Sequence, residues 1–153
     1  MKERKNIGLI AHDACKADMI DWIKFNAKRL GAHKLICTGT TGKLVKAFYQ
    51  EKHPQMKLDI VLLRSGPLGG DQQMGALIAS EQLDLLIFFT DPMTMQPHDV
   101  DVKALLRLCS IENIVVACTR STADFVISSK LFDDDYEPVH QTHSGYLDRL
   151  LQD

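Results

Sequence analysis

Several short polar clusters combine residue types that can hold an anion or move a proton. Thr38-Gly39-Thr40-Thr41-Gly42 packs three hydroxyls and two glycines into five residues. Glycine lets the backbone come close to a ligand. The residues that follow enter a helix, whose first N–H groups are unpaired and favour negative charge. The segment matches neither a Walker A loop nor GxGxxG, and it reads either as a Thr-capped helix start or as a phosphate cradle. Lys16 is either a surface lysine or an ammonium beside the same pocket. Ser65-Gly66-Pro67-Leu68-Gly69-Gly70-Asp71 has the make-up of a sharp turn wrapped around a ligand, with the Gly66 N–H able to reach a second phosphate oxygen. Asp71 falls where the next helix should begin, so it is either an N-cap or a general base. His98, Asp99 and Asp101 set an imidazole, which titrates near neutrality, among carboxylates; such a group can polarise a carbonyl oxygen. His12-Asp13 and Asp91-Pro92 are two further clusters.

These clusters share a position in the chain's rhythm. Near-continuous apolar runs at Asn6–Ala11, Lys34–Cys37, Leu58–Leu63, Leu83–Phe89 and Ile114–Cys118 read as strands buried on both faces. Helical periodicity fills the intervals. Met19, Trp22, Ile23, Ala27 and Leu30 form one face before Gly31. Leu44, Val45, Phe48 and Tyr49 form another after Gly42. Further helices are expected over Gln73–Ser80, Asp101–Ile111, Ala123–Ile127 and Gly145–Leu151. Strand–helix alternation means a parallel sheet with helices on both faces, and ligands then bind at the carboxyl ends of the strands. Each cluster follows a strand, so one shared site is expected.

Composition narrows the function classes. The chain has 153 residues, enough for one domain over 1–153 with its own core and no staples. Eighteen Lys and Arg face 20 Asp and Glu, so no basic excess suggests nucleic acid or a membrane surface. Lys2, Arg4 and Lys5 read as a solvated N-terminus, and Asp133–Glu137 as an exposed loop. No apolar run approaches a membrane span or a secretory signal. Cys15, Cys37, Cys109 and Cys118 lack CxxC spacing and read as reduced, mostly packing thiols rather than zinc ligands. The His12-Asp13 and His98-Asp99 pairs also suggest HD-type phosphohydrolases, but those are all-helical and this chain alternates.

In this order the clusters resemble the methylglyoxal synthase family. The matching segments are His12-Asp13-x-Cys15-Lys16, Thr38–Gly42, Ser65–Gln73, Asp91-Pro92, Pro97–Arg107 and Thr122-Ala123-Asp124-Phe125, from about Asn6 to Phe125. The SGPxGGDQQ and HDxDVKALLR segments are the most specific. The resemblance implies an α/β, single-domain three-layer sandwich with a five-stranded parallel sheet, methylglyoxal synthase-like within the Rossmann/flavodoxin-like folds. It implies a carbon–oxygen lyase that converts dihydroxyacetone phosphate to methylglyoxal and inorganic phosphate, a glycolytic bypass. It also implies no cofactor and no metal, a cytoplasmic homohexamer, and inhibition by phosphate.

By resemblance, Asp71 is the base that takes the proton, His98 hydrogen-bonds the carbonyl or enediolate oxygen, and Asp101 tunes protonation. Asp91 joins the catalytic set, and His12 lines the pocket. Lys16, Thr38, Gly39, Thr40, Thr41, Ser65 and Gly66 bind the phosphate. Elimination further requires the bridge oxygen to stand out of the carbonyl plane, aligned with the enediolate π system. Val100 and Val115 stand where the family pattern usually has Pro, Cys118-Thr119 replaces Thr-Asn, and Thr90 replaces an aromatic. None of these changes touches a charged group of the site. The region from Ser128 onward matches poorly, and Arg149 there reads as a contact to a neighbouring subunit or as solvated. The competing reading is a phosphometabolite-binding regulatory domain without catalysis, as in carbamoyl-phosphate synthetase. A receiver-type signalling module leaves the Thr/Gly segment without a purpose.

Overall fold

The computed structural model describes residues 3–140 and 142–150. Five strands form one all-parallel sheet: β1 (Asn6–Ala11), β2 (Lys34–Thr38), β3 (Asp59–Leu63), β4 (Leu85–Phe89) and β5 (Val115–Ala117), in spatial order β3-β2-β1-β4-β5. The helices are α1 (Lys16–Phe25), α2 (Ala27–Leu30), α3 (Gly39–Lys52), α4 (Gly70–Ala79), α5 (Asp99–Ile111), α6 (Arg120–Ser128), α7 (Lys130–Asp133) and α8 (Ser144–Leu150). Among the described residues no helix is long and apolar enough to cross a membrane.

Connection handedness decides which helix covers which face. The chain steps outward from β1 to β2 to β3, then jumps back across β1 to β4 and β5. Right-handed crossovers in opposite directions land on opposite faces. Accordingly Met19, Trp22 and Ile23 of α1 and Val45 and Tyr49 of α3 pack on Ile7, Leu9, Ile87 and Phe89. On the other face, Met74 and Ile78 of α4 and Val102, Leu105 and Cys109 of α5 pack on Ile10, Leu86 and Phe88. Period-two alternation along β1 and β4 therefore feeds two cores. The reversal of strand order between β1 and β4 opens the crevice in which such sheets hold ligands.

Strand positions agree with the sequence reading to within two residues. Several helices start earlier than that reading places them. α3, α4, α5 and α6 begin at Gly39, Gly70, Asp99 and Arg120, two to four residues before the expected starts. Gly and Thr are poor helix formers, yet here they make first turns, because the loop and the helix entrance are one structure. The stretch read as one helix from Met19 to Leu30 is two. Asn26 breaks it, with its side chain donating to the Trp22 carbonyl at 2.9 Å. α7 was not expected. Ser129 caps it by accepting the Leu131 N–H at 3.2 Å.

One expectation fails at the N-terminus. Lys5 is not solvated: it is 1% exposed, its ammonium donates to the Asp134 carbonyl at 3.0 Å, and it lies 5.8 Å from the Phe132 ring centroid. A lysine stem packs well against apolar surface when its head finds acceptors. Arg4 pairs with Asp59 at 2.5 Å. Cys37 and Cys109 are buried and Cys15 and Cys118 half-buried, all as free thiols, and burial pushes Cys37 up to about 12. In α8, Arg149 donates to the Gly145 carbonyl at 3.0 Å. Lys2 and Leu151 lie outside the described residues.

Candidate active site

The strand-end clusters converge. One cavity of about 250 Å³ is lined by His12, Lys16, Thr38, Gly39, Thr40, Thr41, Ser65, Gly66, Asp71 and His98. These ten residues, singled out from sequence, arrive from the ends of β1, β2 and β3 and from the starts of α1, α3, α4 and α5.

The anion side of the cavity is built from backbone. Thr38 is at the N-cap position of α3, but its side chain makes no capping hydrogen bond. The hydroxyl and the first-turn N–H groups of α3 that follow Gly39 are therefore left to a ligand. Gly39 has φ +40°, and a Cβ there would fall 2.7 Å from the Ser65 Cα. Only glycine lets the two loops close up this far. The Gly39 N–H donates to the Arg64 carbonyl at 3.1 Å, which ties the loops together. The second loop is self-braced: the Ser65 carbonyl accepts from Leu68 at 3.0 Å and from Gly70 at 2.9 Å. Lys16 reaches the cavity as an ion pair with the exposed carboxylate of Asp13, one turn earlier.

The chemical side holds buried polar atoms without partners. Asp71 is the second residue of α4, and the N-cap position belongs to Gly69, so Asp71 does not cap the helix. It is 2% exposed, and neither carboxylate oxygen has a hydrogen-bond partner in the structure. His98 Nε2 lies 3.5 Å from its Oδ2. Burial pushes the Asp71 carboxyl above its ordinary range. His98 opposes that rise, Asp101 adds to it and His12 again opposes it. A buried carboxyl with a raised pKa is a group poised to exchange a proton nearer neutrality.

His12 is fixed at the crevice. Its N–H extends the β1–β4 ladder to the Phe89 carbonyl at 3.1 Å. Its Nδ1 accepts the Asp91 N–H at 2.9 Å. An accepting Nδ1 places the ring proton on Nε2, and Nε2 is buried without a partner. Burial first, and His98 second, hold the His12 pKa below its ordinary value, so the ring is neutral. The result is an unused N–H donor at the carboxyl end of the central strand. The His12 and His98 rings meet edge to face at 5.8 Å, and His98 Nδ1 is also unpartnered.

Two residues read as catalytic are placed differently from these ten. The Asp91 carboxylate turns onto its own loop, where it accepts the Met93 N–H at 2.9 Å and the Thr94 N–H at 3.4 Å. Those bonds, the Met93 one foremost, hold its pKa below the ordinary range. Its contact with the site is the backbone N–H given to His12. Asp101 lies behind Asp71, beside a separate cavity of about 330 Å³ between α4 and α5, from where its charge acts on the Asp71 carboxyl. Two lining residues, Asp13 and Gln96, were not singled out as site residues. The three-residue spacing from Asp13 to Lys16 on a helix was a readable signal for the first; Gln96 carried none.

Comparison with known proteins agrees with this geometry. A family profile described as an MGS-like domain matches residues 18–119. The methylglyoxal synthase of Proteus mirabilis (strain HI4320) is 48% identical over 148 residues, 97% of this chain and 93% of that protein. The methylglyoxal synthase of Oleidesulfovibrio alaskensis is 46% identical over 150 residues, 98% of each. The crystal structure of methylglyoxal synthase from Elizabethkingia anophelis NUHP1 superposes with a TM-score of 0.84 at 46% identity, covering 96% of this chain and 92% of that one.

Proposed function

The chain belongs to the methylglyoxal synthase family and has that family's carbon–oxygen lyase activity; from this premise we propose how its residues turn dihydroxyacetone phosphate into methylglyoxal and inorganic phosphate. One observation carries the reading. Both Asp71 oxygens, His12 Nε2 and His98 Nδ1 are buried without partners, in a cavity whose other wall is an anion cradle. Buried polar groups are normally paired, so four orphans around one space are groups kept for a substrate.

Asp71 in its carboxylate form takes the proton from the carbon that carries the free hydroxyl. The electron pair of the broken C–H bond becomes the enediolate, whose charge settles on the former carbonyl oxygen. His98, with the neutral His12 Nε2–H, donates to that oxygen, an arrangement that stabilises charge where it develops. Burial, with Asp101 adding to it, raises the Asp71 pKa and makes the carboxylate a better base. Asp91 acts through His12, by setting the ring's tautomer with its backbone N–H.

The enediolate then expels phosphate. The free hydroxyl gives its proton to the departing phosphate and its oxygen becomes the aldehyde carbonyl, while the C=C electron pair shifts to form the new C=C bond to the methylene carbon as the C–O bond to the bridge oxygen breaks. Lys16, the hydroxyls of Thr38, Thr40, Thr41 and Ser65, and the N–H groups of Gly66 and of the first turn of α3 after Gly39 stabilise the departing anion, while Gly39 lets the two loops close around it. The enol left behind gains a proton at its methylene carbon and becomes methylglyoxal. The bridge oxygen must stand out of the enediolate plane for this step. A substrate-analogue complex with that oxygen in the plane sinks the elimination geometry.

Every acid, base and anion donor in this scheme is a group of the chain, so the reaction proceeds without a cofactor. The family further supports a cytoplasmic homohexamer built from one domain over 1–153, and inhibition by inorganic phosphate, which competes for the same cradle. The purified chain is to be incubated with dihydroxyacetone phosphate and assayed for both products. Equal yields of phosphate and methylglyoxal are expected, and tight phosphate binding without turnover is the result that leaves only a binding domain.

A further inference from the structure

We propose that Gln96 reads the free hydroxyl of the substrate, by accepting its hydrogen bond through the side-chain carbonyl Oε1. The inference rests on the lyase reading and extends it to a group that reading leaves unassigned. The substrate offers the site a phosphate, a carbonyl, a C–H bond and a hydroxyl. The cradle takes the first, the histidines the second and Asp71 the third. Of the remaining polar side chains that line the cavity, Asp13 is committed to Lys16 and otherwise faces solvent. Gln96 is left.

Its placement suits the task. The loop after β4 is exposed from Pro92 to Met95, with Met93 and Met95 at 88% and 90%, whereas Gln96 is half-buried on the cavity wall, two residues before His98. Pro97 follows it, and a residue before proline is restricted to extended backbone, which limits how the side chain can swing. The amide Nε2 donates to the Thr94 carbonyl at 3.2 Å. That bond assigns the nitrogen to the loop and presents Oε1 as the free hydrogen-bonding atom, an acceptor suited to a hydroxyl donor. The hydroxyl sits on the carbon that loses its proton. As the enediolate forms it becomes an enolic O–H, a stronger donor, so the contact tightens along the reaction.

The test uses the full chain, Gln96→Met and, as a second truncation, Gln96→Ala. Three probes are bound to each: phosphoglycolohydroxamate, an enediolate mimic whose N–OH stands in the hydroxyl position; phosphoglycolate, which has no such donor; and inorganic phosphate. Loss of the contact should weaken hydroxamate binding about 10-fold, leave the other two within about twofold, and lower kcat/KM for dihydroxyacetone phosphate about 10-fold, with kcat carrying most of the loss. Equal weakening of all three probes means that Gln96 only shapes the loop, and overturns the proposal. So does unchanged hydroxamate binding in both variants. A parent protein that makes no methylglyoxal instead overturns the lyase reading, which the binding series does not depend on.

Discussion

Asp71→Asn separates the catalytic and the structural accounts of one side chain. The residue is 2% exposed with both carboxylate oxygens unpartnered, and burial holds its pKa above the ordinary range. Removing a general base costs about 10²- to 10⁴-fold in rate, so turnover should fall at least ~10²-fold. Stability should move the other way. An unfolded chain ionises this group near about 3.9, whereas the native state prefers it protonated. Below the unfolded value the two states bind the same proton and the contribution to stability is fully present. As pH rises through the raised native value that contribution is lost, and at neutral pH the fold carries a desolvated carboxylate. Leaving a buried polar group unsatisfied costs roughly 1–3 kcal/mol, and a charged one more. The asparagine amide recovers only part of that, so the variant should gain about 1 kcal/mol at pH 7. For a domain of this size that is roughly 2–4 °C in Tm. The assays are methylglyoxal production at saturating substrate and thermal unfolding from pH 4 to 8, where the parent's decline with rising pH should flatten in the variant. A folded Asp71→Asn protein with near-parental turnover refutes the base assignment. One that is less stable, with the pH slope intact, refutes the account of the buried charge.

Three further outcomes follow from neighbouring geometry. In Gly66→Ala the new Cβ would lie 3.0 Å from Asp71 Oδ1 and 3.3 Å from His98 Nε2; displacing these groups by a few tenths of an ångström should cut kcat by about 10-fold, less than the ~10²-fold of a 1 Å misplacement, while phosphate still binds, and a variant with full kcat counts against their placement. His12→Ala should lose about 10²- to 10³-fold in kcat, the cost of one oxyanion donor. Because the native His12 pKa is lowered, its contribution to stability is full above about 6.5 and is lost as pH falls from there through the lowered native value; urea unfolding at pH 5 and 7.5 should show a smaller pH difference in the variant. Gly39→Ala combines a left-handed backbone with a 2.7 Å clash against Ser65, and should lose about 2 kcal/mol of stability and most phosphate affinity, read by calorimetry; unaltered phosphate binding argues against a shared cradle.

The sheet was readable because its central strands are apolar on both sides and evenly spaced. Ile7 to Ala11 and Leu85 to Phe89 need no tertiary information to be recognised as buried strands. The site's location followed from topology, since polar clusters after parallel strands must share an end of the sheet. Helix entrances were not readable, because Gly39, Thr40 and Gly70 oppose helix formation locally and are overruled by loop packing. The bonds of Asp91 were equally hidden: which way a carboxylate turns depends on the amides of Met93 and Thr94, not on its own identity. Lys5 shows the same limit, since a buried lysine requires acceptors that arrive 129 residues later.

The pairing of Lys16 with Asp13 has a consequence for how the site fills. The ammonium is mostly shielded, whereas its carboxylate partner is almost wholly in water. A tether anchored in solvent is loosened by dissolved ions, while the enclosed histidine and aspartate pocket is shielded from them. An arriving dianion must draw the ammonium away from that tether. Background electrolyte therefore acts on the grip at the phosphate end and leaves the proton-transfer end untouched, so that capture of the substrate and its transformation answer to the medium separately.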